Sequence, residues 1–234
     1  MNRERILITG ASGFIGKNLL HRLYGQNNNR LFATYHNENK NTLPGVYYHT
    51  DLKNMRDCRE ITKNIDTVFM CAAISYGAPA MKSNPMEFVY PNIIMNANML
   101  QAAYESRVKK FVFISSSVVY PVRRFPCSED DSLDLLPYKA YECVAEMKRF
   151  SEKLCIMYAT QVTKPMTIVI IRPSNIYGPY DDYNPGTSHV TASLIKRVAQ
   201  KDNPIRIFGD GKEERDIINI DDFKKELFKM VDER

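Results

Sequence analysis

The sequence predicts an α/β fold in which a doubly wound parallel sheet is followed by a smaller C-terminal part. Short apolar runs alternate with helical patterns from the amino terminus onward, which is the order of βαβ units. The segments 109–115 and 166–171 carry continuous apolar runs, as expected of strands that are buried on both faces. Three glycines spaced three residues apart follow the first apolar run and precede the first helical pattern.

Hydrophobic periodicity and the turn residues between the periodic segments predict the individual elements. We expect strands at Ile6–Thr9, Leu31–Tyr35, Val46–His49, Thr67–Cys71, Lys109–Ser115, Met166–Ile171 and Ile205–Phe208. We expect helices from about Gly13, and at Met55–Lys63, Pro85–Ser106, Tyr138–Tyr158, Val190–Ala199 and Asp221–Val231. Asp181–Ser188 is predicted to be a loop, and the sheet domain is expected to cover 1–172, with a second region at 173–234.

The turn after the first strand has the residues that bind the pyrophosphate of a dinucleotide. Gly10 permits a tight turn, Gly13 lets the backbone approach the phosphates without a Cβ, and Gly16 lets the helix pack closely on the strand. The helix N-terminus then faces the phosphates. A glycine-rich turn that binds nothing is the alternative, but the strand before it and the amphipathic helix after it favour a nucleotide site.

Composition indicates a globular protein. The chain has 234 residues, 44% apolar and 25% charged, which is enough to bury a full core. The net charge of +5 comes from scattered lysines and arginines, so nucleic acid is not indicated. The five cysteines form no C-x-x-C pair, and the sequence begins with a strand rather than a signal peptide, so we expect a reduced cytoplasmic protein without a structural metal. No apolar run reaches the roughly 20 residues of a membrane span.

Several segments occur in an order that resembles a known superfamily. The glycine fingerprint is followed by Asp51-Leu52, Cys71-Ala72-Ala73, Ser115-Ser116-Ser117 and Arg172–Pro179. Together they resemble the extended short-chain dehydrogenases/reductases, the NAD-dependent epimerase/dehydratase superfamily, which implies a Rossmann fold. Segments 119–121, 175–182 and 188–190 are most similar to the GDP-L-fucose synthases, NADPH-dependent enzymes that epimerise and reduce a GDP-4-keto-6-deoxy sugar. The resemblance extends from residue 3 to about residue 223.

The resemblance implies a cofactor site at the carboxyl ends of the strands. Asp51 is placed to accept a hydrogen bond from the adenine amino group, and Leu52 to contact the ring. Ala72 and Ala73 are small enough for the cofactor ribose to pass over the strand end. The expected cofactor-binding residues are Gly10, Gly13, Phe14, Ile15, Gly16, Tyr35, His36, Asp51, Leu52, Ala72, Ala73, Lys148 and Pro173.

We expect NADP rather than NAD, because the second strand ends without a carboxylate. NAD enzymes of this type place an acid there to bind the ribose 2′-hydroxyl. This chain has Tyr35 and His36 at that point and no carboxylate before Glu38. Lys17, His36 or Lys40 is available to neutralise a 2′-phosphate, and NAD is the alternative cofactor.

The chemistry of the superfamily needs a hydroxyl that holds the substrate oxygen, a tyrosine that exchanges its proton, and a lysine four residues after the tyrosine. Ser116 matches the hydroxyl and Lys148 the lysine, but Val144 occupies the matched tyrosine position. Tyr141 lies seven residues before Lys148, on nearly the same helix face but ~10.5 Å away along the axis. We expect Tyr141 to be the proton donor only if the helix starts irregularly, and otherwise to be a packing residue.

The sugar site is expected in the second region. His189 matches the acid that acts in C3/C5 epimerisation in the GDP-L-fucose synthases, while Val118 stands in place of its cysteine partner. A capping or surface role is the alternative for His189. Arg197 and Arg215 match positions that contact the nucleotide diphosphate and the sugar, which suits guanidinium groups. The expected substrate-binding residues are Ser117, Asn175, His189, Arg197 and Arg215.

Two functions are compatible with these residues. The first is an oxidoreductase and epimerase of nucleotide-sugar metabolism that uses NADP(H) on a GDP-linked keto-deoxysugar. The second is a catalytically silent NAD(P)-binding homologue that acts as a binding or complex partner, which Val144 and Val118 favour. The resemblance also implies a homodimer and a truncated substrate-binding region, so that the sugar pocket is open, trimmed or completed by another subunit. No nucleic acid or membrane partner is expected.

Overall fold

A six-stranded parallel sheet organises the described part of the chain. The computed structural model describes residues 3–25, 29–37, 43–75, 84–122, 126–131, 135–184, 187–207, 210–212 and 214–233. The strands are β1 (Glu4–Thr9), β2 (Asn29–Tyr35), β3 (Val46–His49), β4 (Thr67–Met70), β5 (Lys110–Ile114) and β6 (Thr167–Ile171). Their order is β3-β2-β1-β4-β5-β6, and every neighbouring pair is parallel. This arrangement confirms the predicted doubly wound fold.

Helices cover both faces of this sheet. The helices of the described residues are α1 (Phe14–Tyr24), α2 (Met55–Thr62), α3 (Met86–Glu105), α4 (Glu142–Thr160), α5 (Val190–Ala199) and α6 (Ile220–Asp232). Ile6 and Ile8 of β1 pack with residues of α1 and α6, whereas Leu7 packs with residues of α2, α3 and α4. Successive side chains of a strand point to opposite faces, so one apolar strand contributes to both core layers.

The carboxyl ends of β1, β4 and β5 meet at one edge of the sheet. Thr9 of β1 pairs with Met70 of β4, and Met70 pairs with Phe113 of β5. The chain runs outward from β1 to β3 and then returns to β4 on the other side of β1. Such a reversal leaves a crevice outside the carboxyl ends of the strands, where ligands of α/β proteins bind.

The predicted strand at Ile205–Phe208 is wrong for residues 205–207, which form no strand; Phe208 lies outside the described residues. Pro204 has no N–H to donate to a ladder, and Ile205 and Ile207 are exposed. The strands of the C-terminal part are instead β7 (Asn175–Tyr177) and β8 (Ile217–Asn219), which pair in parallel. Three residues are too few to show a period, so the sequence did not predict them.

The second long helix begins later than predicted. Its predicted start is Tyr138, but α4 begins at Glu142, after a 3-10 turn at Lys139–Tyr141. Pro137, just before this turn, forms an isolated antiparallel bridge with Pro121. The chain therefore passes from this bridge through a 3-10 turn before it adopts regular helical geometry, about one turn later than predicted.

The boundary at residue 172 stays a prediction, although it lies between the end of β6 at Ile171 and the start of β7 at Asn175. None of the described helices is long and apolar enough to cross a lipid bilayer.

Candidate functional site

Backbone atoms lie close to the glycines of the turn between β1 and α1. Gly10 has a φ of +63°, and a Cβ at this position would lie 2.7 Å from the Cα of Ala72. A Cβ on Gly16 would overlap the carbonyl oxygen of Gly10, and a Cβ on Gly13 would lie 3.3 Å from the same oxygen. The three glycines therefore allow the turn and the close contact of helix and strand, which is the geometry that the sequence predicted.

The N-terminus of α1 offers donors to an anion. Gly13 is the N-cap residue, no side chain caps the helix, and its first turn has no acidic residue. The Gly13 N–H donates to the Gly10 carbonyl at 3.0 Å. The next N–H groups, of Phe14, Ile15 and Gly16, have no acceptor within the helix. Together with the helix dipole, these groups suit the pyrophosphate of a dinucleotide.

Two buried threonines hold the turn in place. The Thr34 hydroxyl in β2 accepts a hydrogen bond from the Gly10 N–H at 3.1 Å. The Thr9 hydroxyl at the end of β1 accepts from the N–H groups of Cys71 and Ala72, each at 3.1 Å. Sequence reasoning missed both threonines, although a hydroxyl residue among the apolar residues of a buried strand is a signal for such a role.

The segment after β4 is clamped by Asn92 of α3. The Asn92 Oδ1 accepts from the Ile74 N–H at 3.0 Å, and its Nδ2 donates to the Ile74 carbonyl at 2.8 Å. Asn92 is buried, Ala72 is half-buried and Ala73 is exposed. The clamp holds the backbone of the two expected ribose-contacting alanines at the sheet edge.

The two residues expected beside adenine have different surroundings. The Asp51 side chain is 40% exposed, accepts from the Lys53 N–H at 3.0 Å and forms a 3.6 Å ion pair with the Lys53 amine. Leu52 is buried in the core, and its carbonyl accepts from the Asn98 side chain at 3.1 Å. Asp51 is therefore open to a ligand, whereas the Leu52 side chain belongs to the core.

The two described candidate cations for a 2′-phosphate, His36 and Lys17, make different contacts. His36 follows Tyr35 at the end of β2, and its Nδ1 lies 3.3 Å from a backbone carbonyl oxygen. The Lys17 amine lies 4.6 Å from the centre of the Tyr180 ring, which joins α1 to the segment after β7. Lys40 lies outside the described residues.

Lys148 extends from α4 to the end of β5. Its amine donates a hydrogen bond to the Ile114 carbonyl at 2.8 Å and lies 5.0 Å from the centre of the Phe113 ring. Burial lowers the pKa of Lys148 to about 8, an effect that the charge of Glu152 opposes. The predicted lysine therefore lies at the carboxyl edge of the sheet, where β5 ends and the serine segment begins.

The serine segment starts a short 3-10 turn at Ser117–Val119. The Ser116 Oγ accepts a hydrogen bond from the Val118 N–H at 3.3 Å. The Ser117 N–H donates to the Pro173 carbonyl at 2.9 Å, which links the ends of β5 and β6. The structure thus brings Ser116, Ser117, Lys148 and Pro173 to one end of neighbouring strands.

Tyr141 is the last residue of the 3-10 turn that precedes α4 and is the N-cap residue of this helix. Its ring packs against the Tyr138 ring, with centroids 5.9 Å apart. Val144 is half-buried in the first turn of α4. The helix start is therefore irregular. This is the condition under which we expect Tyr141 to be the proton donor.

A buried ionic network lies beneath the serine segment. Glu152 of α4 accepts from the Ser115 hydroxyl and from the guanidinium of Arg172, at 2.7 Å to Nη2 and 3.1 Å to Nε. Arg172 also donates to the Tyr120 hydroxyl oxygen at 3.3 Å. The network joins α4 to the ends of β5 and β6. Sequence reasoning missed Glu152, because nothing in its helix shows that its partners follow two different strands.

His189 lies at the N-terminus of α5. It is exposed and makes no side-chain hydrogen bond that caps the helix. Burial raises the pKa of Asp181, and the charge of His189 opposes this effect. The imidazole is therefore close enough to a half-buried carboxylate to interact with it.

Asn175 and Arg197, which are also expected at the sugar site, make contacts within the C-terminal part. The Asn175 amide donates to the Asp216 carbonyl at 3.0 Å, and thereby joins the starts of β7 and β8. Arg197 of α5 donates to the Arg206 carbonyl. Arg215 is exposed just before β8. No described contact connects Asn175 or Arg197 to Ser116.

Comparisons with known proteins agree with this geometry. A family model described as the NAD dependent epimerase/dehydratase family matches residues 6–234. GDP-L-fucose synthase of Escherichia coli K12 is 28% identical over 95% of this chain and 67% of its own length. A UDP-N-acetyl-alpha-D-glucosaminuronate decarboxylase of Bacillus cytotoxicus is 31% identical over 99% of this chain and 72% of its own length.

A solved structure of a variant UDP-glucuronic acid 4-epimerase from Bacillus cereus, in complex with a UDP-sugar and NAD, superposes with a TM-score of 0.81. It is 27% identical, over 97% of this chain and 73% of that one. The first curated relatives are matched over only 61% to 67% of their own length. Relatives of this chain thus include proteins named for GDP-sugars and proteins named for UDP-sugars.

Proposed function

Because the chain belongs to the NAD-dependent epimerase/dehydratase family, we propose that it is a nucleotide-sugar oxidoreductase and epimerase that uses NADP(H) on a GDP-linked keto-deoxysugar. The single observation that carries this proposal is the Lys148 amine at the end of β5, on the sheet edge where the glycine turn begins. The turn fits a dinucleotide, since its glycines let the first helix pack closely on β1 and the N-terminus of that helix has no side-chain cap to compete with phosphates. When bound, NADP(H) supplies the hydride at its nicotinamide ring.

Lys148 and Ser116 have complementary tasks in this proposal. With a pKa of about 8, the Lys148 amine carries a positive charge at neutral pH and is able to donate to ribose hydroxyls. The Ser116 Oγ already accepts from a backbone N–H, so its own O–H remains to donate to the keto oxygen of the sugar. Polarisation of that carbonyl favours reduction at its carbon.

Tyr141 is the proposed proton donor. The 3-10 turn places its backbone outside the regular helix, so the usual spacing of four residues does not apply to it. In this proposal the Tyr141 O–H gives its proton to the keto oxygen as the hydride adds to the carbonyl carbon.

His189 is the proposed acid for epimerisation at C3 and C5, from its exposed position at the N-terminus of α5. Arg197 and Arg215 are proposed to bind the nucleotide diphosphate, and Ser117 and Asn175 to contact the sugar.

Separate observations support the choice of cofactor and the choice of nucleotide. The absence of an acid among Tyr35, His36 and the residue that follows them supports NADP, with Lys17 or His36 as partner of the 2′-phosphate. The GDP specificity is supported by the match to GDP-L-fucose synthase, against which stand relatives named for UDP-sugars.

A catalytically silent NAD(P)-binding homologue is the second candidate. It is favoured by Val144, which provides no proton at the position of the family tyrosine, and by Val118 in place of an acid/base cysteine. Such a protein would retain cofactor affinity without turnover.

Fluorescence of bound NADPH distinguishes the two candidates. We expect NADPH to bind more tightly than NADH, and a GDP-4-keto-6-deoxy sugar to oxidise it, while the matching UDP-sugar leaves the fluorescence unchanged. Ser116→Ala should lower turnover by about 100-fold without changing the dissociation constant of NADPH. Tight binding of NADPH without a response to any keto sugar would establish the silent homologue instead.

A further inference from the structure

A cavity, which we call the amino-edge pocket, lies at the edge of the sheet opposite to the proposed cofactor site. Its volume is about 1330 Å³, and residues at the amino ends of β1, β2, β3, β4 and β5 line it. This is room enough for a small organic anion, because ligand pockets are commonly about 300–1,000 Å³. The six residues of β1 separate the two edges by roughly 20 Å.

The lining of this amino-edge pocket is strongly basic. Its charged residues are the cations Arg3, Arg5, Arg30, Arg107, Lys109 and Lys110 and the acids Glu4 and Asp66. Both acids already have partners: Asp66 pairs with Lys109 at 2.8 Å, and Glu4 accepts from the Thr67 hydroxyl at 2.6 Å. The pocket lining therefore has more cationic than acidic side chains, and both acidic side chains already have a partner within the protein.

Two of the arginines that line the pocket, Arg5 and Arg30, lie side by side. Arg5 of β1 and Arg30 of β2 are register partners on adjacent parallel strands, so their side chains leave the same face of the sheet. Their guanidinium carbons lie 4.9 Å and 5.6 Å from the centre of the same Phe32 ring. Like charges directly opposite each other on a sheet are destabilising, and an anion between them would remove that cost.

Arg5 also has an unsatisfied donor. Its Nε is buried and has no hydrogen-bond partner among the described residues. A buried polar group without a partner costs free energy, which an acceptor that reaches it would offset. Arginine is suited to supply paired N–H donors to phosphate oxygens.

We propose that the amino-edge pocket binds a small soluble anion that carries two or more phosphate groups, with Arg5 and Arg30 as its principal ligands. The pocket is independent of the proposed cofactor site, because the two lie at opposite ends of the same strands. Binding there is expected to be compatible with binding of NADP(H), so that a phosphorylated metabolite occupies the protein together with its cofactor.

Isothermal titration calorimetry with inorganic tripolyphosphate tests this proposal at constant ionic strength, with and without saturating NADPH. With saturating NADPH, which occupies the N-terminus of α1, we expect one tripolyphosphate per chain, and the same binding event persists when NADPH is left out. Arg30→Gln should weaken this binding about tenfold or more, because Arg30 provides charge-assisted hydrogen bonds at the site. Arg56→Gln is the matched control, since Arg56 is exposed on α2 and does not line the pocket.

Arg5→Gln is the second variant, and its thermal unfolding without ligand shows whether it remains folded. The proposal is overturned if tripolyphosphate gives no heat at millimolar concentration, or if Arg30→Gln and Arg56→Gln bind it equally. It is also overturned if NADPH displaces the only tripolyphosphate, which would place that anion at the N-terminus of α1.

Discussion

A substitution at Gly13 should weaken cofactor binding while it leaves the stability of the fold almost unchanged. An added Cβ would lie 3.3 Å from the Gly10 carbonyl oxygen, which a small shift accommodates. In the proposed binding mode the phosphates approach the backbone at this N-cap position, where a Cβ would obstruct them. We expect Gly13→Ala to weaken NADPH binding about tenfold or more while the free energy of unfolding changes by less than about 1 kcal/mol. Fluorescence titration and urea unfolding measure the two quantities.

Gly25→Ala is the matched control for this change. Gly25 follows α1 at the other end, and a Cβ there would lie 3.6 Å from the nearest atom, the Arg22 carbonyl oxygen. NADPH affinity should therefore stay at the wild-type value. Equal affinity of Gly13→Ala and wild type would show that the phosphates do not approach this turn.

The contribution of Lys148 to the stability of the folded protein should rise with pH. Its pKa in the folded protein is about 8, below the 10.5 of an exposed lysine, because burial disfavours the charged form. Between these values the unfolded chain binds more protons than the folded one, so this residue's contribution to stability rises with pH. From about pH 7.5 to about pH 9.5 the rise amounts to about 2 kcal/mol.

Urea unfolding of the wild type and of Lys148→Met across this range isolates the effect. Neutral methionine has a similar length and no titrating group, so the difference in unfolding free energy between the two proteins should change with pH as stated. Parallel pH profiles would contradict the burial of the amine. Burial raises the pKa of the Cys71 and Cys155 thiols, but both proteins contain them.

At the scale of elements, the irregular start of α4 decides which group gives the proton. If Tyr141 acts from the 3-10 turn, Tyr141→Phe should lower reductase turnover by about 100-fold and leave NADPH binding unchanged. Tyr138→Phe is the matched control, because the two rings are in contact and Tyr138 precedes the same turn. Turnover is measured as NADPH oxidation with the keto sugar.

Val144→Tyr tests the alternative in which the proton donor belongs at position 144, four residues before Lys148. Restoring a phenol four residues before Lys148 should add little if Tyr141 already supplies the proton. A rise in turnover of tenfold or more, together with no effect of Tyr141→Phe, would show that the natural chain lacks its donor. That outcome favours the silent homologue.

The elements that the sequence predicted are those whose signal is local. The glycine turn and the buried strands follow from spacing and apolar runs within a few residues. Thr34, Asn92 and Glu152 were not predicted, because each acts on a backbone or side chain far away along the chain. The start of α4 was placed early, because helical periodicity does not register a 3-10 turn.

At the scale of the whole molecule, the sheet was predictable and the C-terminal part was less so. Parallel strands buried on both faces have a strong apolar signature, and their order follows from the reversal after β3. The small sheet of β7 and β8 has only three residues in each strand, and its pairing links Asn175 to Ile217 across 42 positions. Sequence spacing contains no information about such a contact.

Exposed apolar side chains on the two long helices indicate how two copies of the molecule associate. Tyr90 of α3 is 63% exposed and Phe150 of α4 is 48% exposed, although both helices pack on the sheet and on each other. Ile156 and Met157 of α4 are also exposed. A symmetric pairing of these helices would bury such residues from two copies at once, which is the usual arrangement of a homodimer.

Sedimentation equilibrium should therefore give the mass of a dimer for the wild type. Phe150→Glu should shift the protein toward monomer, because an unpaired charge at the centre of an apolar interface is costly to desolvate. Val198→Glu is the matched control, since Val198 is an exposed apolar residue on α5, outside the two long helices. A monomeric wild type would leave the apolar face of α3 and α4 without this explanation, and dissociation by Val198→Glu alone would place the interface in the C-terminal part.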